Sequence, residues 1–103
     1  MFHEGDRADE AFEVASGVVR LCRLLPDGRR AVLGFRFAGE TFGLCPGEVY
    51  GCTAEAVTAV NLRVARRRAL ESLPGRSPEL RRRLSAVPWQ ELAARAERVV
   101  TRA

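Results

Sequence analysis

Between Gly39 and Val57 the chain reads GETFGLCPGEVYGCTAEAV, with Gly39, Gly43, Gly47 and Gly51 at an even spacing of four. A helix interior loses ~1 kcal/mol for each glycine relative to alanine, so this spacing argues against a helix. Glycine serves where a chain turns tightly or where backbone must approach another group closely. Ala54–Val60 then reads as a strand. The stretch is therefore a glycine-punctuated loop between strands. On these residues alone it is either an ordinary connection in a β-domain or a loop that brings backbone against a ligand.

The residues before the loop form strands. Phe12–Ala15 is short and closes on a Ser16-Gly17 turn. Val18–Leu25 is rich in β-branched and aliphatic side chains with Arg20 and Arg23 interposed. Pro26-Asp27-Gly28 reverses the chain, since Pro pre-sets φ and Gly accepts a positive φ. Ala31–Phe37 returns, so the two segments form a hairpin. Thr41-Phe42 is a very short strand leading into the glycine loop. Thr53–Val57 and Val60–Ala65 follow, with a bend near Thr58. Short strands at regular turns predict an antiparallel roll or jelly-roll-like sandwich rather than a parallel α/β sheet.

The pattern changes at Arg66. Ala69–Leu73 predicts a short helix stopped by Pro74-Gly75. Ser77-Pro78-Glu79 is a helix start, with Ser as N-cap and Pro at the first helical position. Leu80, Leu84 and Val87 recur at helical spacing until Pro88 kinks or restarts the helix. Beyond it Trp89, Leu92, Ala96, Val99 and Ala103 follow a 3-4 alternation, the mark of a helical seam. That seam packs either on the chain's own roll or on a second copy. Residues 1–65 are expected to form the roll, and residues 66–103 the short and long helices of the same domain.

The composition excludes several classes of function. At 103 residues and 47% apolar content, the chain suffices for one domain with a modest core. No apolar run is long enough to span a membrane and no leader pattern opens the chain, so the expected location is the cytoplasm. All 17 basic residues are Arg, interleaved with 13 acids except at Arg66–Arg68 and Arg81–Arg83, which read as solvated faces. Cys22, Cys45 and Cys52 have no C-x-x-C spacing, which argues against a disulfide framework or zinc site. His3 is the only histidine, near a terminus, so a jelly-roll metalloenzyme or a Ser-His-Asp hydrolase lacks its parts. Neither a catalytic constellation nor a cofactor site is expected.

Several motifs together resemble the sensor domain of the Crp/Fnr family of bacterial transcription regulators. Gly5-Asp6-Arg7-Ala8 followed by Gly17 has the family's first glycine spacing. Val18-Val19-Arg20-Leu21 and Leu25-Pro26-Asp27-Gly28-Arg29-Arg30 are similar to its long hairpin. Phe42-Gly43 and Thr53-Ala54-Glu55-Ala56-Val57-Thr58 match the two ends of its phosphate-binding cassette. The resemblance implies a β-roll, also called a double-stranded β-helix, followed by C-terminal helices. It further implies a ligand site at Gly43, Leu44, Cys45, Cys52, Thr53 and Ala54, and a homodimer through Trp89, Leu92, Ala96 and Val99.

Two departures bear on function. Cyclic-AMP-binding members carry a glutamate directly after the cassette glycine, where this chain has Leu44. They carry an arginine directly before the Ser/Thr-Ala pair, where this chain has Cys52. A neutral thiol supplies neither the charge nor the fork geometry by which a guanidinium holds a phosphate. The chain is therefore similar to the nitrogen-fixation and oxygen-response branch. Iron–sulfur sensing needs four thiolates, which three scattered cysteines do not supply.

Family members continue past the long helix into a helix-turn-helix domain, whereas these residues stop at Ala103. The sequence is thus expected to be a fragment, a truncated product or a stand-alone sensor, with DNA contact only through a domain outside it. The two functions to be separated are the sensor part of a regulator that does not bind cyclic AMP and a stand-alone interaction module with a vestigial cassette.

Overall fold

The computed structural model describes residues 1–44, 47–71 and 95–100. In chain order the elements are β1 (Glu10–Ser16), β2 (Val19–Leu24), β3 (Arg30–Arg36), β4 (Thr41–Phe42), β5 (Thr53–Ala56), β6 (Val60–Arg66), α1 (Arg67–Glu71) and β7 (Arg95–Val99). They form a four-stranded sheet, β4-β1-β6-β7, and a three-stranded sheet, β3-β2-β5. Every pairing is antiparallel. The expected antiparallel roll is what the strands build.

Alternation along each strand determines which side chains meet between the sheets. In β6, Val60, Leu62 and Val64 are buried while Asn61 and Arg63 lie on the other face. In β1, Phe12 and Val14 face the same interior, and Glu13 accepts a 2.6 Å bond from Arg63 on the outside. Val19 and Leu21 of β2 and Ala54 of β5 close the core from the second sheet. Each fully buried Val or Leu side chain contributes about 1.5–3 kcal/mol.

Four rings fill one end of this core. Phe2 stacks on Tyr50 with centroids 3.7 Å apart, and Phe12 stacks on Phe42 at 5.0 Å. Phe2 and Phe12 join the two pairs at 5.7 Å. Tyr50 also satisfies its hydroxyl, which donates to Glu10 O at 2.6 Å and accepts from Glu10 N at 3.1 Å. Buried Tyr needs such a partner, and here the bond ties the glycine loop to the start of β1.

The hairpin between β2 and β3 forms as its turn residues dictate. Gly28 has φ +87°, and its N–H donates to Leu25 O at 3.0 Å. Asp27 accepts from the backbone N–H of Arg29 at 3.1 Å and from its side-chain Nε. A bulge places Leu33 between the pairs Leu21↔Gly34 and Cys22↔Val32. At Gly17, before β2, φ is +91° and an added Cβ would lie 2.2 Å from Ala59 O, so only glycine fits.

One expectation is corrected. The helix predicted through residues 89–103 is not present over Arg95–Val99, which are strand β7, paired with β6 from Val60↔Val99 to Val64↔Arg95. Trp89 and Leu92 lie outside the described residues. Ala96 is opposite Arg63 on the outer face and is exposed; Val99 is opposite Val60 and packs against the core. Residues three apart on a strand point to opposite faces, so Ala96 and Val99 share no seam. The helix after β6 is present, beginning at Arg67 rather than Ala69.

Candidate functional site

The glycine loop leaves β4 and enters β5, so it spans from one sheet to the other. Gly43 makes the exit possible. Its φ is +90°, and a Cβ there would stand 2.8 Å from Phe12 Cδ2 and 3.2 Å from Glu10 O. Gly39 also has a positive φ, of +88°; Gly47 and Gly51 do not, so their spacing with Gly39 and Gly43 is not a conformational repeat.

Leu44 is half-buried. Cys45 lies outside the described residues. At the far end, Cys52 packs against the hydrophobic core on the same side as Ala54 and Ala56, whereas Thr53 and Glu55 alternate to the other face. Thr53 Oγ1 accepts the Glu4 N–H at 2.9 Å, and Ala54 N donates to Phe2 O at 3.1 Å. The structure thus positions Cys52, Thr53 and Ala54 at one end of the loop and Gly43 and Leu44 at the other.

Sequence reasoning did not anticipate how the N-terminal residues hold this loop. Gly5 N donates to Tyr50 O at 2.9 Å, Tyr50 N to Asp6 O at 2.8 Å, and Ala8 N to Glu48 O at 2.8 Å. Arg67, at the start of α1, fastens the tip: Nη1 donates to Gly47 O at 2.5 Å, and its backbone N–H to Asp9 O at 2.8 Å. An arginine bonded to carbonyls leaves no signal in the sequence, because its partners are backbone groups of any residue.

On the outer face of the three-stranded sheet, Glu55 receives two arginines. Arg20 Nη2 is 2.9 Å from Glu55 Oε2, and Arg30 Nη2 bonds Oε1. The bond from Arg20 holds the Glu55 carboxyl below the ordinary carboxylate range, with the Arg30 charge adding to it and partial burial opposing it. The same bond raises the Arg20 guanidinium.

A cleft of about 1170 Å³ opens between the N-terminal segment, Glu48–Tyr50 and Arg66–Arg68. Neither Leu44 nor Cys52 lines it. Its wall carries both signs, from Asp6, Asp9 and Glu48 to Arg7, Arg66 and Arg68, so it offers no single charge to a ligand. Among the described residues there is no metal-ligating cluster and no helix long and apolar enough to cross a membrane.

A two-sheet antiparallel arrangement with a glycine-turned loop between β4 and β5 defines the class as a β-roll whose loop crosses from one sheet to the other. The profile of the cyclic nucleotide-binding domain matches residues 1–77. The chain belongs to that family, in its Crp/Fnr branch. It is 37% identical over 100 residues to the nitrogen fixation regulation protein FixK of Azorhizobium caulinodans, covering 97% of this chain and 40% of that one. It is 40% identical over 80 residues to FixK of Rhizobium meliloti, covering 78% of this chain and 36% of the relative. The solved structure of FixK2 from Bradyrhizobium japonicum superposes with a TM-score of 0.72 at 30% identity, over 90% of this chain and 48% of that one. The chain thus spans less than half the length of these relatives.

Proposed function

We propose that this chain is the sensor part of a cytoplasmic Crp/Fnr-type transcription regulator whose cassette does not take cyclic AMP. DNA contact belongs to a helix-turn-helix domain outside these residues, and the chain catalyses no reaction. The observation that carries the reading is the fate of the two charged positions. The left-handed Gly43 and the β2–β5 pairing at the two ends of the loop support the cassette reading. Its glutamate position is the half-buried Leu44, and its arginine position is Cys52, packed against the core.

The energetic consequence follows from charge. A charge-assisted hydrogen bond contributes about 1.5–3 kcal/mol, so losing the guanidinium alone costs roughly one to two decades in affinity. Glu40 and Glu48 flank the loop and repel a phosphate. With Leu44 and Cys52 at these two positions, an apolar effector, or none, is favoured over a nucleotide. Equilibrium dialysis with cyclic AMP and cyclic GMP tests this: no saturable binding at micromolar ligand is expected, and a low-micromolar dissociation constant for either contradicts it.

A further inference from the structure

Of the eight large apolar side chains that stand exposed among the described residues, five lie on or directly beside the β2–β3 hairpin: Leu24, Val32, Leu33, Phe35 and Phe37. They present roughly 400–500 Å² of apolar surface, the scale at which a patch on a monomer marks an interaction site. Strand β3 carries most of it and has no buried residue. It is also an edge of the three-stranded sheet. The opposite edge, β5, is met by the N-terminal segment through the Phe2↔Ala54 bridge. Among the described residues no strand pairs with the open side of β3.

Charged side chains, Pro and bulges ordinarily blunt such an edge. Here the charges, Arg30 and Arg36, stand at the two ends, and the residues between them are Ala-Val-Leu-Gly-Phe. Arg36 Nε donates to Thr41 O at 3.2 Å, which draws its head toward β4. The bulge at Leu33 remains, and it selects the partner. Phe35 is in register with Arg20 and Val32 with Cys22, so both lie on the outer face although they are three positions apart. Arg36, Gly34 and Ala31, in register with Val19, Leu21 and Arg23, lie on the inner face. A regular strand laid along β3 matches these faces on one side of the bulge and mismatches them on the other. An antiparallel strand with the same bulge matches them on both sides.

We propose that a second copy of this chain pairs with β3 edge to edge and antiparallel, about a two-fold axis centred on Leu33 and Gly34. In this register Val32 of each copy stands opposite Phe35 of the other, Leu33 opposite Gly34, and Ala31 opposite Arg36. Outer residues meet outer ones, and the large Leu33 meets a residue without a side chain. Arg30 comes beside the Phe37 ring of the other copy, a cation–π arrangement. Other registers are poorer. Leu33 opposite Leu33 sets outer residues against inner ones. Val32 opposite Leu33 sets Arg29 against Arg36, like charges face to face.

The two patches together cover roughly 1,000 Å², the lower limit for a specific interface, so the dimer is weak and forms as concentration rises. The pairing uses no residue of the glycine loop and does not depend on what that loop binds.

Sedimentation velocity of the unaltered chain, over a concentration series reaching about 1 mM, is expected to show a monomer–dimer equilibrium. Backbone hydrogen exchange across residues 30–37 should slow as the dimer fills. Val32→Lys and Phe35→Glu, both at exposed positions, should each weaken self-association at least about tenfold. Mixing the two variants should restore it. The register sets the two new charges, of opposite sign, against each other at one pair and leaves Val32 opposite Phe35 at the other. Circular dichroism matching that of the unaltered chain shows that each variant keeps its fold. A monomer throughout the series, a dimer that either variant leaves unchanged, or a mixture of folded variants that stays monomeric overturns the proposal. The exchange measurement needs no variant: unchanged rates at residues 30–37 while the chain dimerises overturn it as well.

Discussion

Gly43 and Gly28 share a left-handed backbone but not its surroundings. At Gly28 a Cβ meets nothing within 4 Å, whereas at Gly43 it strikes the Phe12 ring. Gly28→Ala therefore costs the backbone term alone, about 1–2 kcal/mol. Gly43→Ala adds overpacking of about 1–3 kcal/mol. Urea unfolding of the two variants should rank them in that order; equal losses would mean that the loop exit is not clamped on Phe12. The sequence marked both glycines as turns. It could not distinguish them, since the difference lies in a ring brought near by β1. Glu55 supplies a second test at this scale. Its pKa is lowered on folding, so its contribution is present above the unfolded carboxylate value of about 4.3 and is lost as pH falls through the folded value. The stability advantage of the unaltered chain over Glu55→Gln should be full near neutrality and shrink below about pH 4. An advantage independent of pH would show that the arginine pair is not its source.

Strands β1 to β6 were legible because short alternating segments were bounded by Pro, Gly and Asp, whose effects are local. Strand β7 was not. Ala96 and Val99 lie three apart, a spacing read as one helical face once Trp89 and Leu92 are included, yet a strand places the two on opposite faces. Which applies depends on a partner distant in sequence, here the free edge of β6. Val99→Asp places a charge beside Val60 and should cost about 2 kcal/mol or more. Ala96→Asp, on the outer face, should stay within about 0.5 kcal/mol. Equal, large effects on stability from both would contradict the strand and restore a shared face. The carbonyl ties of Arg67 and Arg36 escaped sequence reading for a related reason: a bond to backbone has no partner identity to recognise.

For the whole molecule, the core and the glycine loop share residues. Phe12, Phe42 and Tyr50 belong to the core, and the Tyr50 hydroxyl also ties the glycine loop to the start of β1. The family was legible from several motifs in chain order, while the replacement of its two charged positions by Leu44 and Cys52 withheld its usual ligand. That replacement also makes the central claim reversible. Calorimetric titration of cyclic AMP into the Leu44→Glu/Cys52→Arg double variant, beside the unaltered chain, tests it most directly. The double variant should bind at least one to two decades more tightly than the unaltered chain, as expected from restoring a charge-assisted phosphate contact. Tight binding by the unaltered chain, or none by a folded double variant, would contradict the account.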